Sequence, residues 1–124
     1  MTLGTSTSRH AYHSAVSQRE ERVARNEASA REMNERIEES YDSHGLDTYT
    51  NMVCECGRSD CDVFIAITKA EYEEVRSDPR RFVLVRPHLD PDVEDVVSEN
   101  DRFVVVEKKE GRPAEIAEVT DPRG

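Results

Sequence analysis

Along residues 17–41 apolar side chains are sparse and recur three or four positions apart, the period of one helical face. Val23, Ala30, Met33 and Ile37 form that face, with Asn26 between them. Glu21–Arg25, Glu27–Arg31 and Glu32–Arg36 are i,i+4 pairs in the favourable acid-first order. Ser17-Gln-Arg-Glu20 has capping-box spacing, so the periodic run is predicted to start there, reach about Tyr41 and end near Gly45. Residues 1–13 are polar, rich in Ser and Thr and without period, which predicts a disordered tail.

Past residue 45 the period shortens to two. Met52–Cys56 reads as a short strand, and Asp62–Thr68 is apolar on both alternating sets, which predicts a strand buried on both faces. Thr68-Lys-Ala-Glu71 is a second capping box, opening a short helix that carries Tyr72 and Val75 and stops at Ser77-Asp78-Pro79. Phe82–Val85 is a further strand. Asp90-Pro91-Asp92-Val93-Glu94 combines an N-cap, a proline at the first helical position and first-turn acids, predicting a helix over 91–98. Phe103–Glu107 is the last clear strand, and 113–119 reads as a strand or a helical turn. The pattern gives an α+β fold: a long N-terminal helix followed by a small mixed α/β domain with a zinc-hairpin-like Cys cluster. The divisions are a tail at 1–13, the helix at 14–45, the domain at 46–120 and a second tail at 121–124.

Charge narrows the partners. Residues 1–41 hold six Arg against seven Glu, and residues 42–124 hold eleven Lys/Arg against twenty Asp/Glu, giving the net -10. Such a surface repels phosphate, which disfavours direct nucleic-acid binding except through the Arg-bearing helix. Acidity of this kind is otherwise accounted for by solubility. No run approaches the roughly 20 apolar residues of a membrane span, and no apolar secretion segment opens the chain, so the expected location is cytoplasmic and off the membrane.

All three cysteines lie within eight residues, as Cys54-Glu55-Cys56-Gly57-Arg58-Ser59-Asp60-Cys61. An odd thiol count in a reducing compartment points to metal ligation or redox chemistry before a disulfide. Cys54 and Cys56 project to one side of a strand, and Gly57 can take the positive φ that returns Cys61 to them. Thiolates are soft ligands suited to Zn2+, whose structural sites are closed four-coordinate shells of Cys and His. The fourth ligand is assigned first to His88, in the loop Arg86-Pro-His-Leu-Asp-Pro91, then to His44, then to Asp60. Free thiols and an iron–sulfur cluster are the competing outcomes.

Several stretches together are similar to a group of small uncharacterised actinobacterial proteins. They are R-N-E-A-S-A-R-E-M-N-E-R-I at 25–37, C-E-C-x4-C, I-T-x2-E-Y-E-x-V-R-x-D-P-x-R-F-V at 67–83, V-E-D-V-V and F-V-V-V-E-K. The resemblance covers about residues 20–122, and the group's loop reads Pro-Gly-His where this chain has Arg86-Pro87-His88. It implies a recurring Cys3His site on Cys54, Cys56, Cys61 and His88, and it implies no activity.

No phosphate loop, nucleophile elbow, zinc-protease or EF-hand pattern occurs, and Glu55 and Asp60 beside the cysteines reflect general acidity, so no enzyme is expected. The function expected is a non-enzymatic zinc-binding module for protein–protein interaction or regulation. A thiol-based redox or metal sensor and a nucleic-acid-associated regulator are the alternatives. The thin helical stripe needs a cover. Met33, Ile37 and Tyr41 are expected to dock on the chain's own domain, leaving the Val16–Ala30 half for a partner or a dimer.

Overall fold

The computed structural model of the chain describes residues 3–41 and 45–124, with side chains from Gln18 onward. Helix α1 spans Leu3–Ser40 and is followed by strands β1 (Tyr49–Val53) and β2 (Phe64–Thr68), then helix α2 (Lys69–Arg76). Strand β3 (Arg81–Leu84), a 3-10 turn at Arg86–His88, strands β4 (Glu94–Glu99) and β5 (Val104–Lys108), and helix α3 (Arg112–Val119) complete the chain. β1 and β2 pair antiparallel as one small sheet, and β3–β5–β4 form a second, also antiparallel. This is the expected mixed α/β arrangement of a leading helix and small sheets. Among the described residues no helix is long and apolar enough to cross a membrane.

The inner faces of both sheets meet in one core. Met52, Ile65, Ile67, Tyr72, Phe82, Val83, Leu84, Val104 and Val106 are all buried within it. Each such side chain contributes roughly 1.5–3 kcal/mol by leaving water. α2 starts at its predicted cap: Glu71 N donates to Thr68 Oγ1 at 3.1 Å, and Thr68 N donates to Glu71 Oε1 at 2.9 Å. Glu71 is held down to about 2 by hydrogen bonds from Arg102.

Several expectations are corrected. Helical backbone begins at Leu3, so Ser17 lies inside α1 and the segment expected to be a disordered tail is largely helical. β1 ends at Val53, before the cysteines, and β2 is covered on one side alone, with Ile65 and Ile67 buried while Phe64 is 64% exposed. A two-stranded sheet with one packed face leaves the alternate positions to water.

The predicted helix at 91–98 is a strand. Its cap forms, since Asp90 Oδ1 accepts from Asp92 N at 3.1 Å, and a single turn follows, with Glu94 N donating to Asp90 O at 3.2 Å. The turn gives way because Val96 pairs across to Val106 and Glu94 to Lys108, and β-branched cross-strand pairing outweighs a local cap. At the other end, residues 121–124 are no free tail. Asp121 Oδ1 accepts from Arg76 Nη2 at 2.5 Å, and Arg123 donates to Glu35, Glu38 and Glu73.

α1 docks through a face other than the apolar one. Glu27, Arg31, Asn34 and Glu38 are its buried residues, whereas Val23 is 38% and Met33 51% exposed. Arg31 donates to Pro79 O at 2.7 Å and to Ala117 O at 2.8 Å while its guanidinium stacks on Phe82. Lys108 Nζ bridges Glu27 at 2.5 Å and Glu94 at 2.7 Å. Burial alone would lower the Lys108 ammonium, but the two carboxylates outweigh it and hold it above its ordinary value. Tyr41, expected to dock with Met33, is 43% exposed, and of that trio Ile37 alone packs on the core.

Candidate metal centre

The connection from β1 to β2 carries the three cysteines. It leaves β1 by extending the pairing with β2, Cys54 N donating to Val63 O at 3.0 Å, and then meets β3, Glu55 N donating to Val83 O at 2.8 Å. Gly57 then turns the chain with φ +77°, as its place between the thiols requires, and Cys61 N closes a turn onto Arg58 O at 3.3 Å. His88 ends the 3-10 turn after β3, where Pro87 presets the backbone and His88 N donates to Val85 O at 2.9 Å. Arg58 Nη2 reaches across to Pro87 O at 3.3 Å and ties the two loops together.

These loops gather four ligand atoms. Cys54, Cys56, Cys61 and His88 present theirs within 4.8 Å of one another, a group able to hold a metal ion. His88 Nδ1 lies 3.7 Å from Cys54 Sγ and 3.5 Å from Cys61 Sγ. A tetrahedron built on Zn–S near 2.3 Å and Zn–N near 2.0–2.1 Å has edges of about 3.6–3.8 Å, so these separations suit a shared ion. Cys54 is buried, and the other three are half-buried. Asp60 is exposed and does not belong to the group, while His44 lies outside the described residues, as do the side chains of His10 and His13.

The thiols share their protons unequally. The hydrogen bond to Cys56, then burial, pushes the Cys54 thiol well up, and the same bond pulls Cys56 down to about 5, aided by the Arg58 amide. Burial also raises Cys61. Val85 N donates to Cys54 Sγ at 3.4 Å, a backbone contact that favours sulfur carrying negative charge. Cys56 is thus the thiol in the cluster most disposed to ionise, and metal capture releases protons from the ligands.

Glu55, between two of the ligands, belongs to the fold. Its buried carboxylate accepts from Asn34 Nδ2 at 2.8 Å, Tyr72 OH at 3.0 Å and Val83 N at 3.0 Å. Outside the four ligands, Asn26, Asn34, Arg58 and the Val85 amide support the centre, and the sequence pattern did not single them out for it. The available signal was Asn26, a polar residue on the stripe where a hydrophobe was sought; Asn34 lay off that stripe.

Fold and site define a mixed α/β chain with a Cys3His group suited to a metal ion. Compared with protein-family models, curated proteins and solved structures, the chain matches none.

Proposed function

We propose that the protein is a small, non-enzymatic zinc protein of the cytoplasm in which Cys54, Cys56, Cys61 and His88 hold one Zn2+ as a structural staple. In this reading it serves protein–protein interaction or regulation. The observation that carries the metal reading is the convergence of three sulfurs and one imidazole nitrogen within 4.8 Å, from two loops held by their own hydrogen bonds. Four protein ligands fill a tetrahedral shell and leave no open position for substrate, which separates a structural from a catalytic zinc. The exposed face of α1, with Met33, is the surface offered to a partner protein. Arg31 is buried and bonded within the fold, which leaves a nucleic-acid role one guanidinium fewer.

Elemental analysis of protein purified without chelator or oxidant tests the reading, with about one zinc per chain expected. His88→Ala is expected to weaken zinc binding by orders of magnitude and His44→Ala to leave it unchanged. Equal effects would remove His88 from the shell. A second reading, a thiol-based sensor, is favoured by the half-exposure of Cys56 and Cys61. Rapid zinc release by dilute peroxide supports the sensor, and inert thiols support the staple.

A further inference from the structure

We propose that metal occupancy at the Cys3His centre controls how firmly helix α1 is docked; this rests on the metal-binding reading above. Residues 53–57 are gripped alternately from two directions. Cys54 and Cys56 supply sulfurs to the centre, and the residues between and beside them receive α1. Asn34 Nδ2 donates to Val53 O at 2.8 Å and to Glu55 Oε2 at 2.8 Å, and Val53 N donates back to Asn34 Oδ1 at 2.8 Å. Asn26 Nδ2 donates to Gly57 O at 3.0 Å. The approach at Gly57 is close enough that a Cβ there would lie 2.8 Å from Glu27 Cγ and from Val23 Cγ1.

The consequence follows from linkage. Without metal, the turn after Cys56 is held by single hydrogen bonds, and its backbone carbonyls sample positions that α1 cannot use. Bonds from one ion to residues 54, 56, 61 and 88 fix that segment in the helix-accepting form. Any ligand that favours the docked conformation is in turn bound more tightly by it, by the same factor. α1 therefore strengthens zinc binding as much as zinc strengthens the seating of α1.

The remaining anchors of α1, such as Glu27–Lys108 and the Arg31 contacts, lie off this segment, so metal loss loosens the helix without unfolding the sheets.

Hydrogen exchange on the full-length chain, with saturating zinc and after chelation, tests the proposal. Amides of residues 20–38 should lose protection on chelation while those of 81–84 and 104–108 keep theirs. Asn34→Ala should weaken zinc binding about tenfold, within the usual range of allosteric coupling, and Arg80→Ala, which removes an exposed ion pair to Glu118, should not. One zinc bound with unchanged α1 protection would overturn the coupling and leave the metal reading standing. Loss of protection throughout the chain would also overturn it, because the ion would then hold the whole fold and not α1 in particular. Absence of zinc binding would remove the metal reading itself, and the coupling with it.

Discussion

Glu55 carries no exposed surface, and its carboxylate faces three donors: Asn34 Nδ2, Tyr72 OH and Val83 N. Burial raises its pKa, and those same hydrogen bonds oppose the rise. Truncation to alanine would strand all three donors in the interior, at about 1–3 kcal/mol for each. Glu55→Ala is accordingly expected to lower the unfolding free energy by at least about 3 kcal/mol in urea melts, with zinc stoichiometry retained in the folded fraction. A loss below about 1 kcal/mol would mean that water replaces the carboxylate and that the network is less closed than its geometry indicates. The three cysteines of the candidate centre were legible in sequence because C-x-C-x4-C is a local spacing and thiolate chemistry is specific, whereas His88 was the first of three candidates, picked by its place in the loop before Asp90-Pro91. Glu55 was not legible, because its partners lie 17 to 28 residues away along the chain.

Helix α1 shows why an apolar stripe misleads when the docking face is polar. Glu27, Arg31, Asn34 and Glu38 are spaced four, three and four apart, a helical seam in its own right, and each finds a partner in the domain. Hydrophobic periodicity cannot detect such a seam, since it ranks these residues as solvent-facing. The helix itself was legible from its i,i+4 pairs, and so was the cap of α2. β4 was not, because its first turn carries a genuine Asx cap and the pairing partner that overrides it, β5, comes later in the chain. The seam leads to a contrast between two apolar residues of α1. Met33 is 51% exposed, so Met33→Asp should change stability by no more than about 0.5 kcal/mol. Ile37 packs on the core, so Ile37→Asp should cost about 3 kcal/mol. Denaturant midpoints of the two variants decide it, and equal losses would show that α1 buries the stripe and not the seam. If Met33→Asp leaves stability intact while abolishing capture of a partner protein, its surface belongs to that partner.

At the scale of the whole molecule, the chain carries net -10 and still places carboxylates beneath its longest helix. Burial pushes Glu27 up to about 7 despite the neighbouring Lys108, whose single ammonium serves Glu94 as well. Burial also pushes Glu38 up to about 7, with its hydrogen bond to Glu73 adding to the effect. In the unfolded chain both groups titrate near 4.5. A carboxyl raised in the folded state binds its proton more tightly there, so folding weakens as pH rises from about 4.5 to about 7 and then levels off. Glu71 acts in the other direction: its contribution is present above pH 4.5 and disappears as pH falls toward about 2. Docking of α1 should therefore be firmer at pH 5 than at pH 8, as far as the seam alone is concerned. Acid also strips zinc from thiolates and imidazole, which opposes the trend in the intact protein. A difference measurement removes that term. Glu27→Gln keeps the side chain's shape and cannot ionise, so its melting temperature relative to wild type should rise from pH 5 to about pH 7 and then level off toward pH 8 at fixed zinc. A difference that stays constant over this range would place the Glu27 proton at its ordinary pKa in both states, and the buried Glu27–Lys108–Glu94 group would then be a fully charged ion pair network with no part in the pH response.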